Sequence, residues 1–105
     1  MITEINSVEQ FRQAITQEVS IIEYHASWSG PCKAISPTFT QLSDTYSKLK
    51  FYRLDVDECA QLTQDAGARM YPTFIVYSRG QKVHTISGAS PDTLQTLIKT
   101  AIRQA

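Results

Sequence analysis

The run Trp28-Ser29-Gly30-Pro31-Cys32 places a hydroxyl, a thiol and an indole ring within five residues. Pro31 suits the first turn of a helix, where a backbone N–H would have no helical partner. Ser29 then stands at the N-cap, exposed at the end of a strand. A group at that point faces unpaired backbone N–H donors and the positive end of the helix dipole, and both stabilise an anion. A cysteine there would be an activated thiolate. The serine hydroxyl ionises negligibly near neutral pH. What Ser29 can do is accept a hydrogen bond from the Cys32 N–H, a contribution of about 1 kcal/mol to the helix. Glu23 lies between Ile22 and Tyr24 in an apolar run. Burial without a charge partner raises a carboxyl pKa and suits proton exchange. The other reading of Glu23 is a structural acid paired with a base such as Lys50 or Arg53. His25 either tunes the electrostatics of the motif or is satisfied by local hydrogen bonds. A Ser29–His25 hydrolase pair has no orienting acid and no nucleophile elbow. Cys32 and the histidines lack metal-ligand spacing, so neither a metal nor a cofactor is expected. Cys59 reads as an inert or surface thiol, or else as a site for intermolecular disulfides.

The elements that must hold these residues follow from the periodicity. A short strand is expected over 2–5. Ser7 and Gln10 form a capping-box pattern, and Val8, Phe11, Ala14 and Ile15 predict a helix over 8–17. Residues 19–26 are apolar on both faces, as in a central parallel strand. After Ser29, the steps Ile35, Phe39, Leu42, Tyr46 and Leu49 give one apolar helical stripe, with Pro37 inside it to bend the helix. Strands are expected over 51–56, 73–77 and 82–87, the last two joined at Gly80 as a hairpin. Asp57 is a candidate cap for a short helix carrying Leu62 and Ala66. Ser90 caps and Pro91 opens a final amphipathic helix with Leu94, Leu97, Ile98, Ala101 and Ile102.

With 105 residues and no linker or repeat, one domain over 1–105 is expected. Acidic and basic residues balance at ten each, so neither nucleic acid nor an anionic membrane is indicated as a partner. No apolar run approaches the ~18 residues of a membrane span. Residues 1–9 lack the basic region and apolar run of a signal peptide. Two cysteines are too few for a disulfide scaffold. A cytoplasmic location with reduced thiols is the expectation.

Three segments carry a resemblance. They are Ala26-Ser27-Trp28-Ser29-Gly30-Pro31-Cys32-Lys33, Asp55-Val56-Asp57 and Tyr71-Pro72-Thr73-Phe74, with Gly80 and Gly88 at matching distances. Together they resemble the thioredoxin family over essentially the whole chain. The family motif is Trp-Cys-Gly-Pro-Cys, and here Ser29 replaces its first cysteine. The resemblance implies an α/β thioredoxin fold, a central mixed five-stranded sheet flanked by four helices. It also implies a protein-disulfide reductase acting by dithiol–disulfide exchange on protein disulfide substrates, with electrons from a thioredoxin reductase. In such a reaction the first sulfur attacks a substrate disulfide and the second resolves the mixed disulfide.

Carried onto this chain, Ser29 marks the nucleophile position, Cys32 is the resolving cysteine, and Glu23 aligns with a buried aspartate held to exchange its proton. Glu23 is one methylene longer. Cys32 is expected to be the more shielded position. Trp28, Gly30, Pro31, Tyr71, Pro72 and Gly88 are the implied substrate-binding residues. Pro72 corresponds to the cis-proline facing the motif. Tyr71 departs from the Ile or Met often found there, and its ring would narrow or reshape the groove. Without the first sulfur, dithiol turnover is expected to fail. The intact flanking residues favour an active-site replacement of a parental cysteine over natural loss. The alternative function is a redox-inactive binding module that uses the same groove.

Overall fold

Alternating and helical apolar patterns give nine elements in the computed structural model, which describes residues 1–104; Ala105, the last residue of the expected domain, lies outside the described residues. The elements are β1 (Ile2–Ile5), α1 (Val8–Ile15), β2 (Ser20–His25), α2 (Gly30–Thr45), β3 (Lys50–Asp55), α3 (Ala60–Ala66), β4 (Thr73–Ser78), β5 (Gln81–Ser87) and α4 (Pro91–Gln104). The strands form one five-stranded sheet in the order β1-β3-β2-β4-β5. β3 runs parallel to β1 and β2, whereas β4 is antiparallel to both β2 and β5. The sheet is therefore mixed, as expected. β2 is central, but it is parallel to its neighbour on one side only.

The pleat of β2 decides where the candidate residues go. Successive side chains on a strand point to opposite faces. Ile21 joins the core formed with Ile35 and Phe39 of α2 and with Leu94 and Ile98 of α4. Ile22 and Tyr24 join the opposite core with Ile5, Leu54, Ile75 and Tyr77. Glu23 and His25 thus share the α2 face with Ile21. On β3 the same alternation puts Arg53 on the face of Phe51.

Local chemistry sets the element ends. Ser7 accepts the Gln10 N–H at 3.1 Å, and the Gln10 side chain accepts the Asn6 N–H at 2.6 Å. α1 stops at Ile15, two residues before the expected end. There the Thr16 hydroxyl and the Gln17 amide both bond the Gln13 carbonyl, an alternative to further helix. α2 continues through Pro37, whose missing N–H denies the Lys33 carbonyl a helical donor.

Asp57 does not cap α3. The carboxylate of Asp55 accepts the N–H groups of Asp57 and Glu58 at 2.8 and 3.2 Å, an Asx turn off the end of β3. The helix then begins after Cys59, with no side-chain cap bond. It ends on Gly67 at φ +77°, a left-handed position that glycine adopts without strain. The β4–β5 hairpin turns on Arg79 and Gly80, both at positive φ, the backbone twist that two-residue hairpins favour. Ser90 caps α4 by accepting the Thr93 N–H at 3.2 Å.

Candidate functional site

α2 begins where β2 ends, and Ser29 makes the junction. Its backbone is extended, and its Oγ accepts the Cys32 N–H at 3.3 Å. The cap predicted from the sequence is present. The expected exposure of Ser29 is not, because the residue is only 6% exposed. Tyr71 explains the difference: the Ser29 hydroxyl donates to the Tyr71 carbonyl at 3.5 Å. The Tyr71 ring also meets Trp28 edge-on, with ring centres 6.3 Å apart. Trp28 itself is 66% exposed. Its indole Nε1 donates to the Asp57 carboxylate at 2.9 Å.

Tyr71 and Pro72 are joined by a cis peptide bond. The Pro72 carbonyl accepts the Gly88 N–H at 2.8 Å, with Gly88 at φ +100°. Ser29, Tyr71, Pro72 and Gly88 thus form one connected set, and Gly30 and Pro31 stand exposed beside it. The carbonyl of residue 71 is already hydrogen-bonded by Ser29.

Cys32 points the other way. It is 5% exposed, and its sulfur accepts the Ala26 N–H at 3.5 Å. It lines a cavity of about 420 Å³ together with Glu23, His25, Lys33, Ser36 and Arg53. Cys32 and Ser36 are four residues apart on α2 and so share a helix face. Glu23 is fully buried and forms an ion pair with Arg53, Nε to Oε1 at 3.1 Å. A second Arg53 nitrogen donates to the Ser36 hydroxyl at 3.2 Å. Of the two bases considered from the sequence, Arg53 is the partner. Burial still raises the Glu23 pKa above its ordinary value, outweighing the guanidinium. His25 titrates below its ordinary value, first because of burial and then because of Arg53. Its Nε2 is buried without a protein hydrogen-bond partner.

Cys59 is distant from this arrangement. It belongs to the core on the opposite face of the sheet, and its thiol donates to the Ile5 carbonyl at 3.6 Å. It is a buried thiol rather than a surface one. Burial, then Glu58, Asp55 and Glu4, push its pKa up. Two contributors to the site were not singled out in the sequence, Asp57 as partner of Trp28 and Ser36 as partner of Arg53. The four-residue step from Cys32 was the available signal for Ser36. Among the described residues, no cluster of three or more His, Cys, Asp or Glu is placed to hold a metal ion. No helix among them is long and apolar enough to cross a membrane.

Comparison with known proteins agrees with this geometry. The thioredoxin family model matches residues 2–100. The thioredoxin of Malassezia sympodialis is 44% identical over 97 residues, covering 90% of this chain and 92% of that protein. Thioredoxin-1 of Schizosaccharomyces pombe is 36% identical over 100 residues, covering 94% of this chain and 97% of its own. The crystal structure of the Malassezia sympodialis protein superposes with a TM-score of 0.93 at 41% identity, covering 99% of this chain and 94% of that one. With motif position, sheet order and these relatives in agreement, the chain belongs to the thioredoxin family.

Proposed function

We propose that this chain is the framework of a thioredoxin-type protein-disulfide reductase whose attacking position is held by Ser29, so that it binds disulfide-bearing proteins without turning them over. The observation that carries this reading is the pairing of Ser29 with Cys32. The hydroxyl at the helix cap is bonded to the Cys32 N–H, and the other thiol, Cys59, is buried in the core on the far face of the sheet. The motif therefore holds one sulfur. A lone thiol can enter a mixed disulfide but has no neighbour to resolve it.

In a parent with cysteine at position 29, that cysteine attacks, Cys32 resolves, and Glu23 takes up the proton of Cys32 through the shared cavity. Trp28, Gly30, Pro31, Tyr71, Pro72 and Gly88 form the groove for the substrate chain. The partners in this reading are protein disulfides and a thioredoxin reductase, in the cytoplasm, with no bound cofactor. The unaltered residues around Ser29 favour a replaced cysteine. The exposed Trp28 beside Tyr71 favours a second reading, a binding module that uses the same groove without redox turnover.

Insulin reduction with thioredoxin reductase and NADPH tests both readings. The chain as written should run at background, and Ser29→Cys should restore turnover. A folded Ser29→Cys protein that stays at background favours the binding module. Turnover by the unaltered chain overturns the first reading.

A further inference from the structure

Glu23 uses only half of its carboxylate on Arg53. Among the described residues it accepts one hydrogen bond, from Arg53 Nε to Oε1 at 3.1 Å, and Oε2 accepts none. A guanidinium beside a carboxylate frequently grips both oxygens with two parallel N–H donors. On the edge of Arg53 that carries Nε, the second such donor is Nη2. Here Nη2 donates instead to the Ser36 hydroxyl at 3.2 Å. One arm of the fork is therefore held on α2, and Oε2 is left without a donor.

The placement follows from the elements. Glu4, Arg53 and Glu23 lie in one row across β1, β3 and β2. Ser36 comes one helical turn after Cys32 on α2, and both line the cavity of about 420 Å³ with Glu23 and Arg53. The other titratable groups on that cavity are His25 of β2 and Lys33 of α2. Beyond Arg53, Glu4 is the charge that acts on Glu23. From β4 the register partner is Phe74, which carries no charge. Arg53 is thus the only donor to the Glu23 carboxylate among the described residues, and Ser36 decides how it donates.

We propose that Ser36 is a positioning residue for proton exchange: it holds Arg53 to a single contact and so keeps Oε2 of Glu23 free to take the Cys32 proton. The inference rests on the role given to Glu23 above. In a parent with cysteine at position 29, the thiol proton of Cys32 passes to Oε2 of the ionised carboxylate. The electron pair stays on sulfur, which then attacks the mixed disulfide. A two-point grip would occupy both oxygens and favour the ionised form, leaving a weaker base. Burial raises the Glu23 pKa in spite of Arg53, which supports a single contact.

The test compares the unaltered chain with Ser36→Ala and Ser36→Thr. Ser36 is half-buried on a helix that alanine favours, so both variants should fold. Isotope-labelled glutamate carboxyl groups are titrated by NMR, the Glu23 signal being the one missing in Glu23→Gln. Ser36→Ala frees Nη2 to close on Oε2, and the Glu23 midpoint should fall by about one pH unit, the lower end of what a guanidinium does to a carboxyl. Ser36→Thr keeps the hydroxyl and should keep the midpoint. In the Ser29→Cys background, insulin reduction should slow several-fold with Ser36→Ala and recover with Ser36→Thr. A Ser36→Ala midpoint equal to that of the unaltered chain overturns the proposal, as does a Ser36→Thr midpoint that falls as far. A purely structural Ser36 would give the first of these results, with a urea midpoint displaced equally at every pH. Turnover that Glu23→Gln lowers and Ser36→Ala does not also overturns it. Turnover untouched by Glu23→Gln removes the proton-exchange role of Glu23 itself, and the NMR midpoints then still decide how Ser36 holds Arg53.

Discussion

Glu23 and Arg53 are direct register partners on the neighbouring strands β2 and β3, and their side chains meet at 3.1 Å, with Arg53 also donating to Ser36 of α2. Burial nevertheless keeps the Glu23 carboxyl above its ordinary value of 4.5. For an acid raised on folding, the stabilising contribution is fully present below the unfolded value and is lost as pH rises through the folded one. Glu23→Gln removes that loss. The stability of the variant relative to the unaltered chain should therefore rise with pH from the ordinary carboxyl value of 4.5 upward and be flat below. Arg53→Met leaves a buried carboxylate unpaired. It should destabilise by about 3–5 kcal/mol at neutral pH and by less in acid. Urea unfolding of the three proteins across pH measures both effects. Differences that do not change with pH would show that Glu23 is not held in this way.

Ser29 can be separated from the chemistry by stability alone. Ser29→Ala removes the acceptor for the Cys32 N–H and should cost about 1 kcal/mol, or a fall in Tm of about 4–8 °C for a domain of this size. An unchanged Tm would mean that the cap bond contributes nothing.

Trp28 is the sole tryptophan, so its fluorescence reports this surface directly. Asp57→Ala removes the acceptor of its indole N–H, and Tyr71→Ala removes the edge-on ring. Each change should broaden the indole orientation and lower the emission anisotropy. The ring pair should contribute about 0.5–1.5 kcal/mol in a double-mutant cycle. Additive effects of Trp28→Ala and Tyr71→Ala would refute a coupling between them.

Cys59 should be slow towards iodoacetamide in the native protein at pH 7. It is buried, and burial with three nearby carboxylates raises its pKa. Each unit of such a rise lowers the thiolate fraction tenfold. Alkylation should reach the unfolded-chain rate only in denaturant. A native rate equal to that rate would place Cys59 at the surface.

The fold was legible because each element carries its own period. The stripe through Ile35, Phe39 and Leu42 and the caps at Ser7, Ser29 and Ser90 are local features, and all appear, but α2 ends at Thr45, so Tyr46 is its C-cap and Leu49 of the expected stripe lies beyond the helix. Where tertiary contacts override local preference, the sequence was silent or misleading. Asp57 has the right type for a cap, yet Asp55 turns the chain first and Trp28 engages the Asp57 carboxylate. The choice between Arg53 and Lys50 for Glu23 depends on strand register, and a single residue of register flips a side chain to the other face. The shielding of Ser29 depends on Tyr71, forty-two residues away, and no local pattern reports such a contact.

The cap at Ser29 separates two demands that cysteine would meet with one atom. The backbone of α2 needs an acceptor at that point, and oxygen supplies it. Only the reaction needs sulfur. Cellular quality control responds to the unfolded population, so a chain that keeps its cap gives it nothing to detect. Such a chain accumulates like an active copy and displays the same Trp28 surface. On the function proposed above, such a chain would compete with active copies, its effect set by dose and by non-covalent affinity for shared partners rather than by any defect in folding.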